Sequence, residues 1–206
     1  MAVATKAYAN ASRGRGGTQA RLALGRVLLK DNKPREAQDA FEAVLRGSPR
    51  GPAARLTAAR VGLGQAQLAQ GSYETALTSF AAVLESRTGP RDSRRALLGS
   101  GISLDGLGRH EEAQSRYRKV LERDPADAAA LNNLGLSLAI AGRSQEAIDV
   151  LKRVAGGARA TARSRQNLAL AYALAGREDA SRRVAAVDLK ASDIEANLTT
   201  LRRVRQ

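Results

Sequence analysis

Cysteine is absent from this chain, and so is tryptophan. The first absence excludes disulfides, thiolate catalysis and zinc sites built on sulfur. It leaves the compartment open, because an exported helical protein needs no disulfide. Histidine occurs once, as His110, directly before Glu111 and Glu112. A His–Glu pair can act as a general base or as half a metal site. No second histidine or cysteine completes a ligand set, so His110 reads as a solvated helix start. Phosphate-binding loops are lacking too. There is no GxxxxGK[ST], and the Gly99-Ser100-Gly101 run lies inside a helical pattern. No enzyme activity, cofactor, metal or small-molecule substrate is expected. Long apolar runs are missing: no stretch approaches the length of a membrane span. Met1 to Asn10 lacks the apolar core of a secretory signal. Aromatics are few, with two phenylalanines and four tyrosines. Acidic residues are outnumbered, 20 against 34 lysines and arginines, for a net charge of +14. That excess suits an acidic protein, anionic lipid or nucleic acid. Solubility and an arginine-rich codon usage account for it equally well. The shortage of rings to stack bases on argues against nucleic acid.

What the chain does have is alanine, leucine and arginine in quantity, without β-branched runs, which favours helices throughout. A small residue then recurs as Gly25, Gly64, Gly101, Gly135 and Ala169, in steps of 39, 37, 34 and 34. Twelve residues after the first four stand Ala37, Ala76, Ala113 and Ala147. Four further on come the large side chains Phe41, Phe80, Tyr117 and Leu151, and three beyond those Val44, Val83, Val120 and Val154. Two helices approach closely only where a side chain is small, and a large residue from the next helix fills the remaining space. A period near 34 with two small sites is the signature of tetratricopeptide repeats, each a pair of antiparallel helices. The expected fold is all-α, a right-handed α-solenoid of about five such repeats plus a C-terminal capping helix.

Residues 1–16 read as a flexible arm broken by Gly14 and Gly16. The repeat array runs over 17–188. Its turns are expected at Gly71, Gly108, Gly142 and Gly176. Pro34 suits a first helical turn, and Ser72 and Asp127 are placed to cap helices. The fifth repeat departs from the pattern, with its alanine one residue early at Ala180. The capping helix spans 189–206, opened by a capping-box pattern at Ser192-Asp193-Ile194-Glu195. Ile194, Leu198 and Leu201 form one stripe on it, and Arg202, Arg203 and Arg205 complement its C-terminal dipole.

First helices of stacked repeats line a concave groove. Taking the face opposite each small residue, the groove is expected to present Leu22, Arg26 and Leu29 from the first repeat and Val61, Gln65 and Leu68 from the second. The third supplies Leu98, Ile102 and Asp105, the fourth Asn132, Leu136 and Ile140, and the fifth Gln166, Leu170 and Leu174. So apolar a surface usually marks a binding site, and a helical or extended protein segment would suit it. The lysine-and-asparagine clamp that some tetratricopeptide proteins place on a C-terminal carboxylate is not evident in Asn132 and Asn133.

Two stretches go beyond a generic repeat. Residues 164–177, reading SRQNLALAYALAGR, are followed by Asp188-Leu189, then by Ala196-Asn197-Leu198 and Leu201-Arg202-Arg203. This resembles the C-terminal signature of the TadD family of tetratricopeptide proteins in tight-adherence (Flp) pilus systems. The resemblance implies a non-enzymatic, pilotin-like assembly factor whose partner is the outer-membrane secretin or another component of the pilus machine. It implies a periplasmic location at the outer membrane, with a cytoplasmic adaptor for an unrelated client as the alternative. Family members often carry a lipid anchor, and this chain has no lipobox cysteine to bear one.

Overall fold

The computed structural model describes residues 17–47, 50–86, 89–157 and 160–204. The expected arm at 1–16 and Arg205 lie outside them. Among the described residues there are eleven α-helices and no strand. In order they are α1 (Gly17–Lys30), α2 (Pro34–Gly47), α3 (Ala53–Ala69), α4 (Tyr73–Glu85), α5 (Pro90–Gly106), α6 (His110–Leu121), α7 (Ala128–Ile140), α8 (Ser144–Ala155), α9 (Ala162–Leu174), α10 (Glu178–Ala185) and α11 (Ala191–Val204).

The chain divides into two compact units, 1–109 and 110–206. In the first, every helix packs on the next, and the first helices α1, α3 and α5 also pack side by side. In the second, α7 and α9 are neighbours in the same way, with α6, α8 and α10 against them and α11 on α9 and α10. This is the stacking of consecutive helix pairs that the repeat predicts.

The spacing of small and large residues does the packing. Phe41 is fully buried. Its ring lies where a Cβ on Gly25 of its own repeat would come within 2.6 Å, and one on Gly62 of the next within 2.4 Å. Phe80 sits likewise, 2.7 Å from such a carbon on Gly64 and 2.3 Å from one on Gly99. Real side-chain carbons do not approach so closely, so each ring is held between two glycines of successive first helices. Gly135 is closed by Leu151, at 2.4 Å. Gly62 and Gly99 are the second member of each pair, and the 34-residue series does not contain them. The Gly-x-Gly doublets at 62–64 and 99–101 were their signal.

One turn device recurs five times along the chain. Asn32, Gly71, Gly108, Gly142 and Gly176 adopt φ between 56° and 79°. After each, a backbone N–H reaches back to the preceding helix, as in Ser72 N to Gln67 O and Arg143 N to Leu138 O, both 2.9 Å. These are Schellman closures, which satisfy the last carbonyls of the helix. Asn32 serves where the other repeats use glycine, because asparagine tolerates the left-handed region.

Capping differs in part from expectation. Asp127 Oδ1 accepts from Ala130 N at 2.9 Å, as its position suggests. Ser72 makes no side-chain cap; its carbonyl accepts from Thr75 Oγ1 instead. The capping box at Ser192 does not form. The helix starts one residue earlier, on the Lys190 carbonyl, and Glu195 turns to Arg182. A true capping box appears at Thr161 and Ser164, which exchange side-chain and backbone bonds.

The register of the fifth repeat also needs correction. Ser181, twelve residues after Ala169, occupies the small site and is buried, whereas Ala180 is half-exposed. The position four residues later, large in repeats one to four, is Ala185. The missing volume is supplied by Ile194 and Leu198 of α11, which join Ala169, Ala173 and Ala185 in one apolar cluster.

Candidate functional site

First helices project two kinds of surface. In the unit of residues 1–109, α1, α3 and α5 form an open cleft of ≈ 510 Å³ lined by Arg26, Leu29, Lys30, Ala58, Gln65, Arg91, Asp92 and Arg95. Leu29 and Ala58 make an apolar floor that packs on the core. Four cations face one carboxylate. Arg95 is half-buried and donates from Nη2 to Gln65 Oε1 at 3.2 Å; its Nη1 stands 3.8 Å from Asp92 Oδ1. Burial lowers the Arg95 pKa, Asp92 opposes this, and the charges of Arg26 and Arg91 add to the lowering. Arg26, Lys30 and Arg91 are exposed.

In the unit of residues 110–206 the first helices carry partly exposed apolar side chains in their C-terminal halves. Leu136 and Leu170 are half-buried, and Ile140 is 56% exposed. Beside them a cleft of ≈ 430 Å³ opens among α9, α10 and α11, lined chiefly by Ala169, Leu170, Ala173, Ile194, Leu198 and Leu201, with Gln166, Asn197 and Thr200 as polar members. It marks the place where Ala185 leaves the repeat short of volume.

Of the expected groove residues, Leu22 and Val61 are 3% and 0% exposed and belong to the core. Each lies three residues before its packing glycine, and the i, i+3 spacing turns both to the same helix face. Asn132, in the equivalent place, is buried too and donates to the Ala128 carbonyl at 2.8 Å. Leu68 packs on the core with one side. Leu98, Asp105 and Leu174 are half-buried, Ile102 is 39% exposed, and Gln166 is exposed. Arg26, Leu29 and Gln65 are brought together in the basic cleft, and Gln166 and Leu170 in the apolar one. Sequence reasoning missed Arg91 and Arg95. Their signal was present as arginines in the first two turns of a first helix, but the face they share with Arg26 depends on how α1, α3 and α5 stack.

The C-terminal helix and the connection that leads into it are tied down by ion pairs. Arg165 of α9 grips Asp188 with two bonds of 2.7 and 2.6 Å. Arg182 pairs with Glu195 at 2.7 Å and with Glu178 at 3.2 Å, and Arg202 reaches Glu178. Hydrogen bonds from these arginines hold the carboxyls of Asp188, Glu178 and Glu195 below their ordinary values. Among the described residues no group of three metal-ligating side chains occurs, and no helix is long and apolar enough to cross a membrane.

The tetratricopeptide repeat profile matches three times, over residues 22–90, 61–113 and 98–164. The chain belongs to the tetratricopeptide repeat family. Its repeats make it a protein–protein interaction scaffold. Among curated proteins none matches the chain in sequence. Solved tetratricopeptide structures share its fold. TTC0263, a thermophilic protein from Thermus thermophilus, superposes with a TM-score of 0.69 at 22% identity, over 89% of this chain and 97% of that one. A tetratricopeptide repeat protein from Parabacteroides merdae gives a TM-score of 0.64 at 22% identity, over 81% of this chain. The match spans 63% of the Parabacteroides protein, less than two thirds of its length. YrrB, described as having an unusual peptide-binding site, gives 0.61 at 17% identity, over 87% of this chain and 89% of that one.

Proposed function

We propose that this tetratricopeptide scaffold is a pilotin-like assembly factor for the secretin of a tight-adherence pilus, acting in the periplasm at the outer membrane. A helical or extended segment of the secretin lies against the apolar first-helix face of α7 and α9. The observation that carries the reading is the exposed apolar surface of Ile140 with Leu136 and Leu170 beside it. Ile140 has no packing role that would explain so large an apolar side chain in water, whereas a partner helix would bury it. The likeness of residues 164–203 to the TadD signature supports the choice of partner.

The test is co-purification with the secretin from cells carrying a tight-adherence pilus. The wild-type chain is expected to retain the secretin. A variant with Ile140→Asp and Leu170→Asp is expected to lose it while keeping its helical circular dichroism. Each apolar anchor is worth about 1.5–3 kcal/mol, so two weaken binding by orders of magnitude. Absence of the secretin from the wild-type eluate, or its full retention by the folded double variant, overturns the proposal.

A further inference from the structure

The basic cleft of the unit 1–109 is not explained by packing. Arg26 and Arg91 are exposed, and among the described residues neither makes an ion pair or a hydrogen bond. They stand on the first and third first helices, with Arg95 beside them and the Gln65 amide of the middle helix holding its guanidinium. An arginine placed merely for solubility would gain nothing by being partly buried against two others, since like charges in a concave site repel. Asp92 offsets only one of the four positive charges. The floor is apolar, through Leu29 and Ala58, so the cleft offers both a hydrophobic base and a cationic wall.

We propose that this cleft binds an internal acidic segment of a protein, carboxylate side chains meeting Arg26, Arg91 and Arg95 while an apolar side chain rests on Leu29 and Ala58. The assignment deepens the scaffold reading and rests on it. Guanidinium groups present paired N–H donors that match a carboxylate, and such charge-assisted bonds are stronger than neutral ones. Nucleic acid fits less well. Of the rings in the described chain, Phe41, Phe80 and Tyr117 are fully buried. Tyr73 lies over Gly106 and Tyr172 under Arg177. None opens on the cleft to stack a base, as single-strand binding requires.

The experiment uses the full chain and fluorescence anisotropy with a short peptide of alternating glutamate and leucine. Its ends are acetylated and amidated, so that a terminal carboxylate plays no part. The same peptide with glutamine for glutamate, one with lysine for glutamate, and a duplex DNA are the comparison probes. The acidic peptide is expected to bind at least tenfold tighter than the glutamine version. Arg26→Glu with Arg91→Glu is expected to abolish that preference and to bind the lysine peptide instead, a gain that unfolding cannot produce. Equal binding of the acidic and glutamine peptides overturns the proposal. So does an acidic-peptide affinity unchanged in the double variant, or displacement of the peptide by DNA at lower concentration than by free acidic peptide. The scaffold reading is judged separately. Failure of the peptide assay, with the cellular partner lost only by the Ile140 and Leu170 variant, removes the basic cleft and leaves the scaffold standing.

Discussion

At the scale of single residues, glycine and phenylalanine set the distance between neighbouring first helices. Phe41 and Phe80 each fill a space that two glycines leave open. Removing the filler creates a cavity that stacked helices cannot easily collapse. Phe41→Ala is therefore expected to cost about 3–5 kcal/mol, read as a lowered midpoint in denaturant unfolding. The opposite error is as harmful. In Gly135→Leu the new side chain meets Leu151, whose Cγ already stands 2.4 Å from the site of its first carbon. Overpacking of this kind is expected to cost about 3 kcal/mol, and an unchanged thermal melt would show the register to be wrong. Ser181 teaches the complementary lesson. A small residue was required twelve positions after Ala169, and serine meets the requirement as well as alanine does.

Among the helices, closure matters more than intrinsic propensity. Each pair turns through a left-handed residue with a backbone bond reaching back behind it, so the chain reverses in the fewest residues that satisfy the helix end. The last helix is held differently. Among the described residues α11 buries only Ile194 and Leu198, and its ion pairs with α10 complete the attachment. Asp188 and the two glutamates, Glu178 and Glu195, have depressed pKa values in the folded state. The stability they add is complete above their unfolded values, about 4 to 4.5. It is lost as pH falls through the lower folded values. The protection of α11 amides, relative to intrinsic exchange, is expected to fall as pH drops below the ordinary carboxylate range, while the cores around Phe41 and Phe80 stay protected. Uniform behaviour of all helices would contradict this. Because the pairs of α11 are exposed, the effect is local and modest. Thr161→Ala, which removes the capping box of α9, is expected to cost about 1 kcal/mol, measured by chemical denaturation.

For the molecule as a whole, the first-helix cleft of each unit has its own chemistry. One presents arginines over a small apolar floor, the other presents leucine and isoleucine. A net charge of +14 alone would draw any polyanion. Duplex DNA is accordingly expected to bind weakly at physiological salt and to be lost steeply as salt rises. Tight, salt-tolerant DNA binding in a filter or anisotropy assay would contradict a protein-binding role for the basic surface.

The period and the small and large sites of the first four repeats were legible in the sequence. That period is a packing requirement, and a helix pair that must stack on copies of itself has to place small and large side chains at fixed offsets. The turns at Gly71, Gly108, Gly142 and Gly176 were legible for the same reason, since few residues accept the backbone conformation a tight helix closure needs. Which polar residue would cap was legible at Asp127 and not elsewhere. Ser72, Ser192 and Glu195 had local patterns that suited capping, and the backbone closure at Ser72 and the pull of Arg182 on Glu195 overrode them. Nor could the sequence divide first-helix residues between core and groove. Leu22 and Val61 went to the core although Leu29 and Ile102 kept a face to solvent. That division depends on the angle at which one helix pair lies on the next. Arg26 lies far from Arg91 and Arg95 along the chain, and only the lateral packing of α1, α3 and α5 brings their charges into one cleft.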